Sequence, residues 1–185
     1  ELVGFKEVNT LDHVLFITSK GTYGYTPVYE IDEAKWKDVG AHFNSAVTMT
    51  SEEKIINAYT FKDFNTGASI ITLTKKGMIK RTLIEDLEVQ RHNKSMSIMN
   101  IKDDDIVVDS LIVNDDDEIV IVTENGYTSR YSVNLIAPTA PKGKGIIAMK
   151  NDTCKSLVHA SKSHLVCITD NGAMKRLKMS DILVT

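Results

Sequence analysis

Apolar positions along this chain gather into short runs rather than helical stripes. HVLFIT (13–18), SIITLT (69–74), EIVIVT (118–123) and HLVCIT (164–169) are each dense in apolar and β-branched side chains and end in threonine. Each is followed at once by Ser-Lys-Gly, Lys-Lys-Gly, Glu-Asn-Gly or Asp-Asn-Gly and then by a second run. Two β-prone runs joined through a glycine read as a β-hairpin. The pattern predicts hairpins over 13–31, 69–87, 118–136 and 164–182, with Gly21, Gly77, Gly126 and Gly172 at the turn position that needs positive φ.

These glycines are spaced by 56, 49 and 46 residues, about the length of one four-stranded propeller blade, roughly 40–50 residues. Between hairpins the chain supplies two further β-like stretches. The clearest are 96–101 with 106–113, and the same grammar returns over 137–163. Placing Ser45, Ser95 and Gly145 in register also aligns Met49, Met99 and Met149. The expectation is an all-β chain, residues 1–185 forming a single repeat domain of about four four-stranded blades. Residues 1–9 are read as a strand pairing with the first hairpin, and 32–63 as a connection whose start could pass for helix. The chain opens on Glu1 inside a repeat, as a piece of a longer protein would.

Composition narrows the class. Hydrophobic residues make up 42% of the chain and prolines number three, so there is material for a core and no sign of a linker. No stretch approaches the ~18–20 apolar residues of a membrane helix, and two cysteines are too few for a disulfide scaffold. The chain is expected to be soluble and intracellular. Net charge is −3, but unevenly spread: −4 over 1–68, +4 over 69–102, −8 over 103–118 and +5 over 119–185. A basic face can therefore coexist with an acidic one.

The repeat also filters tempting chemistry. Cys154, His159, His164 and Cys167 suggest a zinc site, yet Cys167 aligns with Phe16, Thr72 and Ile121, an ordinary strand position. Arg130-Tyr131 suggests an activated phenol, but Tyr131 aligns with Thr26, Thr82 and Leu177. The runs Asp103–Asp105 and Asp115–Glu118 lack the spacing of a calcium loop and read as solvated turns. No metal or catalytic residue is assigned.

Cations are what recurs on the return strand: Lys80-Arg81, Ser129-Arg130 and Lys175-Arg176 are in register, with Gly24-Tyr25 in the first copy. Connecting loops add Arg91, His92 and Lys94, then Lys142 and Lys144 between glycines. Glycines 143 and 145 would let backbone N–H groups approach an anion. The expected phosphate contacts are Lys75, Lys76, Lys80, Arg81, Arg91, Lys94, Arg130, Lys142, Lys144, Lys175 and Arg176.

With LTKKGMIKR (73–81), ITDNGAMKR (168–176) and GIIAM (145–149) in place, the chain resembles the C-terminal domain of the A subunit of bacterial type IIA topoisomerases. That resemblance implies a β-pinwheel, a propeller-like ring whose blades exchange strands, with a basic rim that binds and bends duplex DNA. Of the gyrase box Q-R-R-G-G-K-G only fragments occur, Gln90-Arg91 and Gly143-Lys144-Gly145, which makes the chain more like topoisomerase IV than gyrase.

The resemblance further implies no chemistry or cofactor in this domain. The parent enzyme would use Mg²⁺ and ATP through other domains or subunits, as a heterotetramer with the ATPase B subunit, in relaxation and decatenation at the cytoplasmic nucleoid. The acidic block 103–118 is expected to restrict which blades the duplex touches. Alternatives are a gyrase-type wrapping domain, or a propeller that binds protein through Trp36, Phe43 or Tyr127.

Overall fold

The computed structural model describes residues 6–184 except 51, 91, 103, 161 and 162. Thirteen strands form among them, and no α-helix. Each hairpin stands where the sequence places it: β1 (His13–Thr18) with β2 (Thr22–Pro27), β4 (Ser69–Thr74) with β5 (Met78–Leu83), β8 (Glu118–Thr123) with β9 (Thr128–Ser132), and β12 (His164–Ile168) with β13 (Met174–Lys178). The four turn glycines have φ between +72° and +83°, the left-handed region where a missing Cβ removes the penalty. A 3-10 turn closes every hairpin, at 28–30, 85–87, 133–135 and 179–181.

The remaining strands come from the connections: three stay with the hairpin of their own repeat and two short ones are exchanged to the hairpin of the repeat before. β3 (Ile55–Phe61) pairs with β1, β7 (Val107–Val113) with β4 and β11 (Cys154–His159) with β8. β6 (Met96–Ser97) runs back past its own hairpin to β2, and β10 (Ile146–Ile147) runs back to β5. The resulting sheets are β3-β1-β2-β6, β10-β5-β4-β7, β11-β8-β9 and β12-β13, here blades 1 to 4. A four-stranded blade thus takes three strands from one repeat and the fourth from the next.

The strands β3, β7 and β11 converge at one edge of the blades, where Asp109 of β7 joins all three. Its carboxylate accepts from Asn57 Nδ2 of β3 at 2.8 Å, and from Leu157 N and Ser156 Oγ of β11 at 2.7 and 3.2 Å. β6 and β10 lie on the opposite, outer edge.

Two-sided burial explains why the hairpin strands read as unbroken apolar runs. Successive residues of a strand face opposite sides of its sheet. On β4, Ile70 packs into the cluster shared with Leu15, Ile17 and Tyr25 of blade 1, while Ile71 and Leu73 pack against Ile119 and Ile121 of blade 3. On β8, Val120 turns the other way and meets Met179 and Ile182 of blade 4. Each such side chain contributes about 1.5–3 kcal/mol when fully buried.

Register among the connections holds as well. Methionines 99 and 149 occupy equivalent places, their carbonyls over Gly21 and Gly77. A Cβ on Gly77 would overlap the Met149 carbonyl, and φ there is +83°. Gly77→Val is therefore expected to cost at least ~2 kcal/mol, read as a lower urea midpoint, from the backbone conformation alone.

Three expectations need correction. Residues 1–5 lie outside the described set, and 6–9 form no strand. Residues 32–42 contain no helix, only turns and extended chain leading to a 3-10 turn at Phe43–Ser45. The acidic runs are not simply solvated turns: Asp105 is 6% exposed and accepts from the backbone N–H of Lys76 and Ile106.

Candidate nucleic-acid interface

The return-strand cations do not form an outer arc. Lys80 and Arg81 are 2% and 4% exposed, so neither side chain can present its charge to a phosphate outside. They lie side by side on β5, so they face opposite sides of its sheet: Arg81, opposite Ile71, is aimed into the junction with blade 3, and Lys80, opposite Thr72, lies on the other side.

Arg81 donates from Nε to Ser69 Oγ at 2.9 Å, from one terminal nitrogen to the carbonyls of Val133 and Ile136 at 3.4 Å each, and from the other to the Asp115 carboxylate. Arg130 makes a looser version: a terminal nitrogen donates to Met179 O at 3.1 Å, and Nε lies 3.7 Å from Glu118. Tyr25, in register with both, reaches Val89 O at 2.6 Å. One return-strand position therefore ties each blade to the backbone of the next. Tyr131, the neighbour of Arg130, donates its hydroxyl to Ala148 O, which makes it a packing residue.

Lys80 supports a loop rather than a ligand. Its ammonium donates to Thr82 Oγ1 and, at 3.0 Å, to Thr139 O, while its stem backs Gly143, whose added Cβ would lie 3.3 Å from Lys80 Cε. Thr139 N donates to Arg81 O at 2.9 Å, and Gly143 O accepts from Asn100 N at 3.0 Å. Between these anchors the loop carries exposed Lys142 and Lys144, Lys142 itself at φ +68°. A non-glycine residue in that region stays there only when its surroundings hold it.

The preceding junction loop is built alike: Tyr25 holds Val89 and stacks on His92 at a centroid distance of 5.3 Å, and Lys94 follows, exposed. Arg91 lies outside the described residues.

Burial pushes the Lys80 ammonium down from 10.5 to about 8, against the pull of Asp86. A base whose folded pKa lies below its unfolded value penalises folding while both states hold the proton, and the penalty fades as pH rises through that interval. The stability of the wild type relative to Lys80→Met is expected to increase between pH 8 and 10.5, measured by denaturant titration. The difference isolates Lys80, because burial also raises Cys154 to about 11 and Tyr23 and Tyr59 to about 12, and these acids lower stability at alkaline pH.

The other expected contacts divide by their partners. Lys76 is exposed but paired with Asp104, and Lys75 beside it is exposed. Lys175 and Arg176 are exposed on β13, Arg176 lying 3.0 Å from His164 Nδ1. Lys75, Lys94, Lys142, Lys144 and Lys175 have no ion-pair partner among the described residues.

Sequence reasoning passed over Lys102 and Lys150. With Lys76 and Lys144 they line a groove of about 500 Å³ floored by Met78, Met99 and Met149. Their signal was available: each follows one of the in-register methionines within three residues. Of the aromatics considered for protein contact, Trp36 is 90% and Tyr127 67% exposed, whereas Phe43 packs edge-on against Phe16 at 4.0 Å. Among the described residues no three His, Cys, Asp or Glu side chains converge as metal ligands. No helix among them is long and apolar enough to cross a membrane.

Comparison with known proteins follows the same architecture. The chain is 33% identical over 180 residues to the A subunit of DNA topoisomerase 4 from Bacillus subtilis, covering 95% of this chain and 22% of that protein. It is 33% identical over 181 residues to the protein of the same name from Staphylococcus epidermidis, with the same coverage. The chain thus spans about a fifth of the length of these curated relatives.

Among solved structures, the C-terminal domain of DNA topoisomerase IV superposes with a TM-score of 0.87 at 29% identity, covering 97% of this chain and 57% of that one. The DNA gyrase A C-terminal domain, at 23% identity and a TM-score of 0.77 over 96% of this chain and 58% of that one, shares the fold. A profile of the family described as the DNA gyrase C-terminal domain, beta-propeller, matches residues 12–62, 68–114, 117–160 and 163–185, one segment per repeat. The chain belongs to the family of DNA gyrase C-terminal domains, and its sequence resembles the corresponding part of the topoisomerase IV A subunit.

Proposed function

We propose that this domain binds duplex DNA through its phosphates without reading bases, and bends the segment it holds beside the catalytic core of a topoisomerase IV A subunit. The observation that supports this most is the junction loop 139–145. Two exposed lysines, Lys142 and Lys144, have no acidic partner among the described residues and are braced from below by Lys80. Lys94, Lys75, Lys102 and Lys150 extend the same chemistry along the outer edge and one face of blades 1 and 2. Lysine ammonium groups on loops suit phosphate oxygens as point charges and carry no base-edge geometry.

Bending a short duplex costs on the order of 1–6 kcal/mol, which several cationic contacts can offset. Net charge of −3 and the pairing of Lys76, Arg81 and Arg130 with Asp104, Asp115 and Glu118 keep the binding moderate and sensitive to salt. The domain supplies no chemistry of its own. Strand passage, with its ATP and Mg²⁺ and its heterotetramer with the ATPase B subunit, belongs to the parent protein at the nucleoid.

Fluorescence anisotropy with two short labelled duplexes of unrelated sequence tests this reading. Similar affinity for both, lost as salt is raised, is the expected result. Absence of binding at low salt contradicts it, and would favour the protein-binding alternative through exposed Trp36.

A further inference from the structure

Between blades 1 and 2 the chain builds a groove with two kinds of chemistry, and phosphate contacts use only one of them. One wall is the segment 99–105 and the other the segment 144–151, with Met78 of β5 also in the lining; the volume is about 500 Å³. The floor is apolar. Met78, Ile101 and Met149 are half-buried and Ile147 is 56% exposed. Met99 is fully buried, its sulfur accepting from the Thr72 hydroxyl at 3.4 Å. Gly145 makes room for it, because a Cβ there would stand 2.5 Å from Met99 Cε.

The rim is cationic. Lys102 on one wall and Lys144 and Lys150 on the other are exposed and have no ion-pair partner among the described residues. Lys76 is committed to Asp104. The one carboxylate in the lining is Asp105, 6% exposed, with an oxygen already taken by the backbone N–H groups of Lys76 and Ile106.

Comparison among the repeats shows that the fold does not require this combination. In register with Met78 stands Thr22, whose hydroxyl donates to Glu53 at 2.9 Å, and the turn beside it pairs Lys20 with Glu52. That surface is polar and balanced in charge. At the junction of blades 1 and 2, methionines and unpaired lysines stand in its place.

We propose that this groove is a docking site for an acidic segment of a partner protein that carries one long aliphatic side chain between aspartates or glutamates. The aliphatic side chain lies over Met78, Met149 and Ile147, and the flanking carboxylates pair with Lys102 on one side and with Lys144 and Lys150 on the other. Charge complementarity sets the sign of the partner, and the apolar floor separates a peptide from a duplex. A phosphate backbone satisfies the lysines but brings nothing to cover the methionines. Thioether side chains adapt to anchors of differing shape, and an apolar anchor in a pocket ringed by polar contacts is how protein interfaces concentrate affinity.

The test uses the chain as it is, without DNA, and two fluorescein-labelled peptides: Asp-Glu-Asp-Leu-Glu-Asp-Glu, and the same peptide with serine in place of leucine. Anisotropy is expected to show saturable binding of the leucine peptide at low salt, and binding of the serine peptide at least about tenfold weaker, because only leucine buries apolar surface. Amide shifts in two-dimensional NMR are expected to cluster over 76–78, 99–105 and 144–151. Met78→Thr, which gives the groove the side chain found in the first repeat, is expected to weaken the leucine peptide at least about fivefold. The same variant is expected to leave duplex affinity and its salt slope unchanged.

Equal binding of the two peptides to the wild type means that lysine charge acts alone and overturns the proposal, whether or not the Met78 variant folds. No saturable binding, shifts confined to other loops, or unchanged leucine-peptide binding by a folded Met78→Thr would overturn it as well. A Met78→Thr loss that falls equally on duplex and peptide assigns the groove to DNA and also overturns it. The peptides are compared without DNA, so failure of the duplex reading leaves that comparison intact.

Discussion

Arg81→Ala is expected to lower the unfolding free energy by about 3 kcal/mol, although arginine on a repeated return strand looks like a surface ligand. The side chain is 4% exposed and fills a gap between blades 2 and 3. Alanine leaves the carbonyls of Val133 and Ile136 and the Ser69 hydroxyl without their donor, and each such buried loss costs about 1–3 kcal/mol. Asp115, whose side chain is 76% exposed, is simply returned to water and adds little. Arg81→Lys keeps the charge but replaces a planar fork by a point, so it should recover only part of the loss. Arg130→Ala is expected to cost less, since Arg130 is half-buried and meets one carbonyl at 3.1 Å. Urea denaturation of the three variants checks the ranking.

Asp109→Ala is expected to destabilise by a similar or larger amount, about 3–4 kcal/mol. Its carboxylate accepts three hydrogen bonds from two other blades, those of Asn57 Nδ2, Ser156 Oγ and Leu157 N; a bond to an ionised acceptor contributes about 1.5–3 kcal/mol net, and the three share one carboxylate, so their losses do not add in full. The backbone N–H of Leu157 suffers most, because that residue is 3% exposed. Asp109→Asn retains one good acceptor and turns a donor toward the others. An intermediate loss is the outcome expected in the same denaturation series.

The hairpins were legible because two independent signals coincide there: apolar runs of strand length and a glycine at a fixed offset. The in-register methionines located the exchanged strands for the same reason, since Met99 and Met149 each close over a turn glycine. The cations were harder. Arginine at 81, 130 and 176 recurs with period, but recurrence marks an equivalent environment, not exposure. In blade 2 that environment is the interior of a blade junction, and the same residue type at Arg176 is exposed. Tyr25 in the first repeat was the available clue: an aromatic residue in register with arginines fits a buried position that needs one donor at its tip, and its hydroxyl supplies it to Val89.

Long-range pairing was the other illegible part. The runs around Asp104 and Asp115 carry charge enough to look like solvated turns, and nothing local says that they face Lys76 and Arg81, 28 and 34 residues away. Once those cations are assigned to partners within the fold, the unpaired lysines on the junction loops remain as the surface available to phosphate.

The most direct measurement is the salt dependence of duplex affinity for the wild type and for Lys94→Ala/Lys142→Ala/Lys144→Ala. All three side chains are exposed and lack ion-pair partners among the described residues, so the triple variant should keep its urea midpoint. The slope of log affinity against log salt is expected to become shallower by about 0.9 per lost phosphate contact, close to 3 in all, with weaker binding to every sequence alike. An unchanged slope in a folded triple variant would contradict the assignment of DNA binding to these loops.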